Sequence, residues 1–125
     1  MGKEIDSHSL PHQHHEDGCL EEIQHEIGRI EDFQTVADTF KLLDDNTRLR
    51  IFFILCHAEE CVINIAAMMD MSTPAVSHHL KLLKNANLIS SRREGKEVYY
   101  KASDSPVTRN LHHYIENIMD IVCPK

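Results

Sequence analysis

The chain has 125 residues, of which 42% are hydrophobic and 26% charged, and its formal net charge is −7. This length suits one domain with a modest core, which we expect dimerisation to enlarge. No stretch approaches the roughly 18 apolar residues of a membrane span, and the N-terminus lacks the apolar core of a signal peptide. We therefore expect a cytoplasmic protein that does not bind membranes. Its four cysteines then favour metal binding or redox chemistry over a disulfide framework.

Charge is distributed unevenly along the chain, which matters because affinity for nucleic acid depends largely on Lys and Arg. Residues 72–101 contain six Lys and Arg against two Glu, so this segment carries +4 and the rest of the chain −11. Such segregation predicts a positive surface on an otherwise acidic molecule.

The first part of the chain divides into a polar arm and three predicted helices. Residues 1–18 contain four of the ten histidines, and we interpret them as a flexible His-rich arm, followed by a folded domain over 19–125. Apolar residues at spacings of three and four predict a helix over 19–30 with a seam for a partner helix. Further helices are predicted over 32–43 and 47–56. The inward positions of the helix over 32–43 are predicted to be Phe33, Val36, Ala37, Phe40 and Leu43.

Two consecutive helices are predicted next, with a tight turn between them. In residues 62–70, one helical face is formed by Ile65, Ala66 and Met69. Ser72 then supplies an N-cap and Pro74 a first-turn proline, so a new helix starts there. Its buried stripe is predicted to be Val76, Leu80 and Leu83, and its other side carries Thr73, Ser77, His78 and Lys81.

A basic hairpin and a long helix complete the chain. Short strands are predicted over 88–93 and 97–101, and Gly95 between them allows the positive φ of a tight turn. Helix, turn, helix and basic hairpin in this order predict a winged helix-turn-helix, a mainly α domain whose second helix enters a DNA major groove. A helix over 106–122 has apolar residues at spacings of three and four, and with the seam of 19–30 we expect it to form a homodimer interface.

Three segments carry a resemblance to a known family. DDNTRLRIFFIL, STPAVSHHLKLLKNANLI and SRREGKEVYY, in this order, resemble the ArsR/SmtB family of bacterial repressors. The resemblance implies a dimer that binds double-stranded operator DNA and releases it when metal binds or thiols are modified. It places Ser72, Thr73, Ser77 and His78 against DNA and Arg92, Arg93 and Lys96 on the wing. With Lys81 these are the candidate DNA-binding residues, although Ser77 also fits an ordinary exposed position and His79 is interpreted as one.

One sensing site of the family joins the C-terminal helices of the two subunits. The corresponding positions here are Asp104, Pro106, Asn117 and Asp120. Proline cannot ligate a metal, and the imidazoles that zinc prefers are absent from these positions. We therefore reject the usual form of this site, while His112, His113 and Glu116 on the same helix offer an unusual one.

A second family site uses cysteines that precede the recognition helix, together with ligands from the N-terminal region of the partner subunit. Cys61 occupies the first cysteine position, but Ile63 stands at the second. Cys56 lies just upstream and Cys19 follows the histidines of the arm, so thiolates and imidazoles can form a tetrahedral set. The candidate metal ligands are Cys61, Cys19, Cys56, His14 and Cys123. Zinc or cadmium is the expected inducer, with lead, copper or arsenite as alternatives.

Other hypotheses explain the cysteines differently. Cys56 and Cys61 also suit buried, small apolar positions. In a thiol redox or persulfide sensor of the same fold, Cys56, Cys61 or Cys123 would form a disulfide or polysulfide, and release would survive chelators. A DNA-bending dimer without an effector is a further alternative. We do not expect an enzyme, because the sequence has no HExxH motif, nucleophile elbow or Gly-rich phosphate loop.

Overall fold

The computed structural model describes residues 10–12, 14 and 19–122. Of these, Val122 is described by its backbone alone. In chain order the elements are α1 (Cys19–Ile27), α2 (Ile30–Leu43), α3 (Asn46–His57), β1 (Glu60–Cys61), α4 (Val62–Met69), α5 (Thr73–Asn85), β2 (Ile89–Glu94), β3 (Glu97–Ala102) and α6 (Pro106–Val122). The predicted mainly α fold with a small hairpin is confirmed. None of the described helices is long and apolar enough to cross a membrane.

The helix predicted over 19–30 is shorter than expected, because α1 ends at Ile27. The N–H of Gly28 donates to the carbonyl oxygens of Gln24 and His25, both at 3.2 Å, and α2 begins two residues later. Glycine is a poor residue for a helix interior and a good one for a helix end. Arg29 lies between the two helices and pairs with Glu26 and Asp32, each at 2.8 Å.

The chain divides into two compact units, one ending at Phe40 and the other starting at Lys41. In the N-terminal unit, no residue of α1 is buried, and α2 likewise has no buried residue along its length. The exposed apolar side chains of these helices are Ile23, Ile27, Ile30, Phe33, Val36 and Phe40. The prediction that Phe33, Val36, Ala37 and Phe40 point inward is therefore wrong for a single chain. Their helical spacing creates an apolar face, but spacing does not specify what covers that face.

The C-terminal unit contains the hydrophobic core. The predicted faces of α4 and α5 are confirmed, since their stripe residues are buried together with others from α3 and the start of β2. The buried cluster comprises Ile51, Phe52, Leu55, Ile65, Ala66, Met69, Val76, Leu80, Leu83, Leu88 and Ile89. Helices α3 and α4 and one end of the sheet thus pack around α5.

The turn between α4 and α5 sets the direction of α5. Asp70 adopts a left-handed conformation (φ 53°), and the N–H of Met71 donates to the carbonyl oxygen of Ala66 at 2.9 Å, which closes α4. The Ser72 hydroxyl then accepts a hydrogen bond from the N–H of Ala75 at 3.3 Å and caps α5, as predicted.

The sheet has three strands in the order β1-β3-β2, all antiparallel. The hairpin matches the prediction, with Gly95 at φ 62° in its turn. Strand β1 was not predicted; its two residues pair with β3, Glu60 opposite Tyr100 and Cys61 opposite Tyr99. The pairing fixes Cys61 at the junction of β1 and α4.

Candidate nucleic-acid interface and metal-binding residues

Helix α5 has two contrasting sides. Val76, Leu80 and Leu83 are at most 1% exposed, so they hold the helix against α3 and α4. The opposite side and the N-terminal end carry the predicted DNA-binding residues of this helix, all exposed: Ser72, Thr73, Ser77, His78 and Lys81. Short hydroxyls, an imidazole and an ammonium group at the start of a presented helix suit base edges and phosphates.

His79 faces a different environment from its neighbour His78. Its Nδ1 atom lies 3.2 Å from the guanidinium of Arg48, and burial lowers the pKa of His79 below its usual value, which favours the neutral ring. Arg48 also donates through its backbone N–H to the Asp45 side chain that caps α3, at 2.8 Å. His79 therefore connects α5 to the start of α3 instead of extending the exposed side.

The wing carries the three predicted cations in different environments. Arg92 is engaged, with its guanidinium 2.6 Å from Glu59 and 2.6 Å from Glu94 and stacked 4.9 Å from the centre of the Tyr99 ring. Hydrogen bonds to the two carboxylates raise the pKa of Arg92 further. Arg93 donates to the carbonyl oxygen of Gly95 at 3.3 Å, and Lys96 is exposed beside that glycine.

The predicted cysteine ligands occupy three different environments. Cys61 is buried at 9% exposure and is the N-cap residue of α4, but its thiol makes no capping hydrogen bond. Cys56 is half-buried near the end of α3, where burial, and secondarily the charge of Glu116, raise its pKa to about 11. Cys19 is exposed at the first position of α1.

The remaining predicted ligands lie in or near the termini. His14 is exposed, and its ring stacks on that of His12 at 5.7 Å between centroids. Cys123 lies outside the described residues.

One cluster of three donor side chains lies in the described part of the chain, and it contains no cysteine. It consists of His57, His112 and Glu116, whose donor atoms all lie within 4.8 Å of one another. The sequence had drawn attention to His112 and Glu116 but not to His57, and it had added His113. In the sequence, the only signal for His57 was its position beside Cys56 in CHAEEC. Its partner His112 lies on a helix 55 residues away, so spacing along the chain gave no further indication.

Comparisons with known proteins decide the family. A model described as "Bacterial regulatory protein, arsR family" matches residues 45–91. A transcriptional repressor SmtB homolog from a Synechocystis species is 38% identical over 96 residues, which cover 77% of this chain and 72% of that protein. The chain belongs to the ArsR/SmtB family. The predicted family is confirmed, and members of this family are DNA-binding transcriptional repressors, not enzymes.

Two further relatives bear on this ArsR/SmtB-family chain. A cadmium resistance transcriptional regulatory protein CadC homolog from Staphylococcus aureus is 45% identical over 73 residues, which span 58% of this chain and 60% of that protein, less than two thirds of its length. The solution NMR structure of a homodimeric winged helix-turn-helix DNA-binding domain from Mycobacterium bovis has a TM-score of 0.67 at 28% identity. That match covers 74% of this chain and 84% of the domain. The predicted winged helix-turn-helix is confirmed.

The structure also places the residues at the rejected C-terminal-helix site of this ArsR/SmtB-family protein. Pro106 is the first residue of α6, and the Asp104 carboxylate accepts a hydrogen bond from Arg109 at 2.6 Å. Asn117 and Asp120 are exposed farther along the helix. Only Asp104 and Asp120 in this set are ionisable donors, and Asp104 already has a cationic partner.

Proposed function

We propose that this protein is a homodimeric repressor that binds double-stranded operator DNA through α5 and the β2–β3 hairpin and releases it on binding a divalent metal ion. The observation that carries the proposal is the division of α5 into a fully buried stripe and an exposed polar side. A helix held rigidly by its apolar stripe presents its other side at a defined angle, as a recognition helix requires.

The charge distribution supports DNA as the ligand of this surface. The net +4 segment over 72–101 spans α5 and the hairpin, so its cations and the exposed hydroxyls belong to neighbouring elements. Phosphate contacts from Lys81, Arg93 and Lys96 would position the protein, while Thr73, Ser77 and His78 would contact the base edges. The acidic remainder of the molecule would repel DNA that approaches from other directions.

The apolar side of α6 supports a homodimer. Tyr114 and Ile121 are exposed on this helix, and Ile118 and Met119 border an apolar groove of about 380 Å³ that continues onto α3 and α4. An apolar groove bordered by exposed apolar side chains favours an interaction with another apolar surface. A second copy is the occupant we propose, because two recognition helices must be joined to contact successive major grooves.

The proposed inducer is a soft or borderline metal ion, with zinc or cadmium first. Cys61 supports this proposal, because its side chain is buried at the N-cap position of α4 and makes no capping hydrogen bond that a metal ion would have to displace. We propose that Cys56, Cys19, His14 and Cys123 are the other candidate ligands. Metal binding at Cys61 would act on the helix immediately before the recognition helix.

A coupling of a few kcal/mol between metal and DNA suffices for release, since about 1.4 kcal/mol is a tenfold change in affinity. The metal must favour a dimer geometry in which the recognition helices no longer match the operator. Burial raises the pKa of Cys56 to about 11, so this residue is a thiol in the metal-free protein. Both alternatives need its thiolate: thiol chemistry is slowed there, and a metal ion would have to displace the thiol proton in order to bind.

The test is a titration of fully reduced protein bound to a fluorescent DNA fragment from the promoter of its own gene. Zinc and then cadmium are added while anisotropy is followed, with and without a chelator. The proposal expects release at about one metal per subunit, reversed by chelation and lost on Cys61→Ser. Release only after oxidant or polysulfide treatment would instead support a thiol sensor, and failure to bind DNA would refute the repressor.

A further inference from the structure

We infer that a metal site free of cysteine lies within one protomer, formed by Nε2 of His57, Nε2 of His112 and the carboxylate of Glu116. Its ligand class is a borderline divalent cation such as zinc or cobalt. The site joins the end of α3 to α6 and shares no donor with the proposed cysteine ligands. Its regulatory consequence rests on the proposed function, whereas the binding itself does not.

The distances between the donor atoms suit one small cation. The two Nε2 atoms are 3.0 Å apart, and Nε2 of His112 is 3.3 Å from Oε1 of Glu116. Zinc–nitrogen bonds of about 2.0–2.1 Å in a tetrahedral site separate neighbouring ligand atoms by roughly 3.3–3.4 Å. The donors therefore need only small rotations to bind one ion together.

The surrounding side chains hold the two imidazoles in place. The Phe53 ring packs against His57 at 4.7 Å and against His112 at 5.7 Å between centroids, and the two imidazoles are perpendicular to each other. The His112 side chain is only 20% exposed, while that of Glu116 is 44% exposed. An aromatic wall on one side and solvent access on the other are the surroundings of a site that an ion can enter.

The donor chemistry distinguishes this cluster from an ordinary ion pair. Two imidazole nitrogens that face each other need a proton between them in the free protein, whereas a metal accepts a lone pair from both. Two imidazoles and one carboxylate are the ligands of many zinc sites that retain water in the fourth position. A cleft of about 320 Å³ that is open to solvent borders His57 and His112, so water could reach that position.

Occupation of the site would fix the angle between α3 and α6. Because α3 packs against α5 and we propose α6 as a dimer helix, this angle affects the separation of the two recognition helices in the dimer. The expected consequence is a reduction in operator affinity that is small beside the release caused by metal at Cys61, so loss of release on Cys61→Ser still tests the proposed function.

The experiment uses cobalt as the probe and the full-length chain with Cys19→Ser, Cys56→Ala, Cys61→Ala and Cys123→Ser. We expect one cobalt per protomer, visible as ligand-field absorption without a sulfur charge-transfer band. Replacing His57 or His112 with Ala should weaken binding by more than the roughly 10- to 100-fold that loss of a metal's supporting contact causes. His25→Ala is the control and should leave binding unchanged, because His25 lies on α1 and is not part of the cluster. His113 is not suitable, since its ring stacks on that of His112 and its Nδ1 atom lies 4.0 Å from Glu116.

Absence of cobalt binding in the folded cysteine-free chain, or binding that survives His57→Ala, would overturn the inference. A second measurement covers the case in which the cysteine-free chain does not fold. Zinc added to the natural sequence should shift the imidazole NMR signals of His57 and His112 together. Unshifted signals would also overturn the inference. Operator anisotropy on the natural sequence tests the proposed repressor separately. Cobalt binding that leaves operator affinity unchanged would overturn the coupling.

Discussion

Helices α5 and α6 are both amphipathic, but they complete their packing in different ways. The apolar stripe of α5 is fully buried inside one chain, and its polar side is exposed. On α6, by contrast, apolar residues such as Ile121, at 79% exposure, remain in solvent, while the polar His112 lies against α3. Helix α5 is therefore fully packed within one protomer, whereas the apolar side of α6 stays exposed.

This difference between α5 and α6 bears on two functions, recognition of a ligand and regulation. A recognition surface needs rigidity, which the packed core around α5 supplies without a partner. A sensor needs an element whose position can change, and a helix whose apolar side binds another molecule has that property. The His57–His112–Glu116 cluster joins this second element, through His112 and Glu116, to the end of α3.

The largest expected effect is on the stability of the fold, when a residue of the buried α5 stripe is truncated. Leu80→Ala removes a fully buried side chain and should lower the free energy of unfolding by about 2–5 kcal/mol, measured by urea denaturation. Lys81→Ala, the adjacent exposed position, is the control and should change stability by no more than about 0.5 kcal/mol while weakening DNA binding. Equal destabilisation by both variants would mean that α5 is not divided as described.

A charge on α6 should break the dimer and spare the protomer. Ile121→Asp should raise the dimer dissociation constant at least 100-fold, because burying an unpaired carboxylate costs about 3 kcal/mol or more. Analytical ultracentrifugation measures the constant, and unchanged circular dichroism shows that the chain still folds. Asn85→Asp adds the same charge at an exposed polar position on α5, away from α6, and should have a much smaller effect. A dimer unaffected by Ile121→Asp would place the interface elsewhere.

Most of the fold could be predicted from the sequence because periodicity and capping are local signals. Val76, Leu80 and Leu83 were predicted as a stripe by spacing alone, and Ser72 was predicted as a cap by its position before Pro74. The exposure of Phe33 was not predictable in this way, since spacing defines a face but not its partner. Strand β1 is too short for any periodic pattern, and its two residues form a strand only because β3 supplies Tyr99 and Tyr100.

The candidate sites were less predictable, because they depend on contacts between distant segments. His57 joins His112 across 55 residues, which no spacing rule detects. Arg92 looked like a free wing cation, yet Glu59 from the α3–β1 connection pairs with it across 33 residues. Exposed residues of α5 were easier to predict, since each lies opposite a buried stripe on the same helix.

The thiol of Cys56 offers a test of the contact between α3 and α6. Because its pKa is about 11 instead of 9.0, its thiolate fraction near pH 8 should be about 100-fold lower than that of an ordinary cysteine. Alkylation followed by mass spectrometry should give a midpoint near pH 11 for Cys56. The raised pKa also means that Cys56 stabilises the fold below pH 9, and that this contribution is lost as the pH rises through about 11.

Burial is the main cause of this shift, and the charge of Glu116 on α6 is secondary. Glu116→Gln should therefore lower the alkylation midpoint of Cys56 only partly, leaving it above 9.0. A chelator in both samples keeps bound metal from affecting the comparison. A return to the ordinary value would show that the charge on α6, and not packing at the end of α3, controls this thiol.

The smallest expected effects are on the salt dependence of DNA binding, and they should differ between two cations of the wing, Lys96 and Arg92. Lys96→Ala should reduce the slope of log affinity against log salt by about 0.9, the value for one lost phosphate contact. Arg92→Ala should reduce it by much less, because the Arg92 guanidinium is already paired with Glu59 and Glu94 and has few counterions to release. Fluorescence anisotropy at several salt concentrations measures both slopes. Equal reductions would show that Arg92 leaves its carboxylates for a phosphate, so the wing rearranges on DNA while the packed α5 does not.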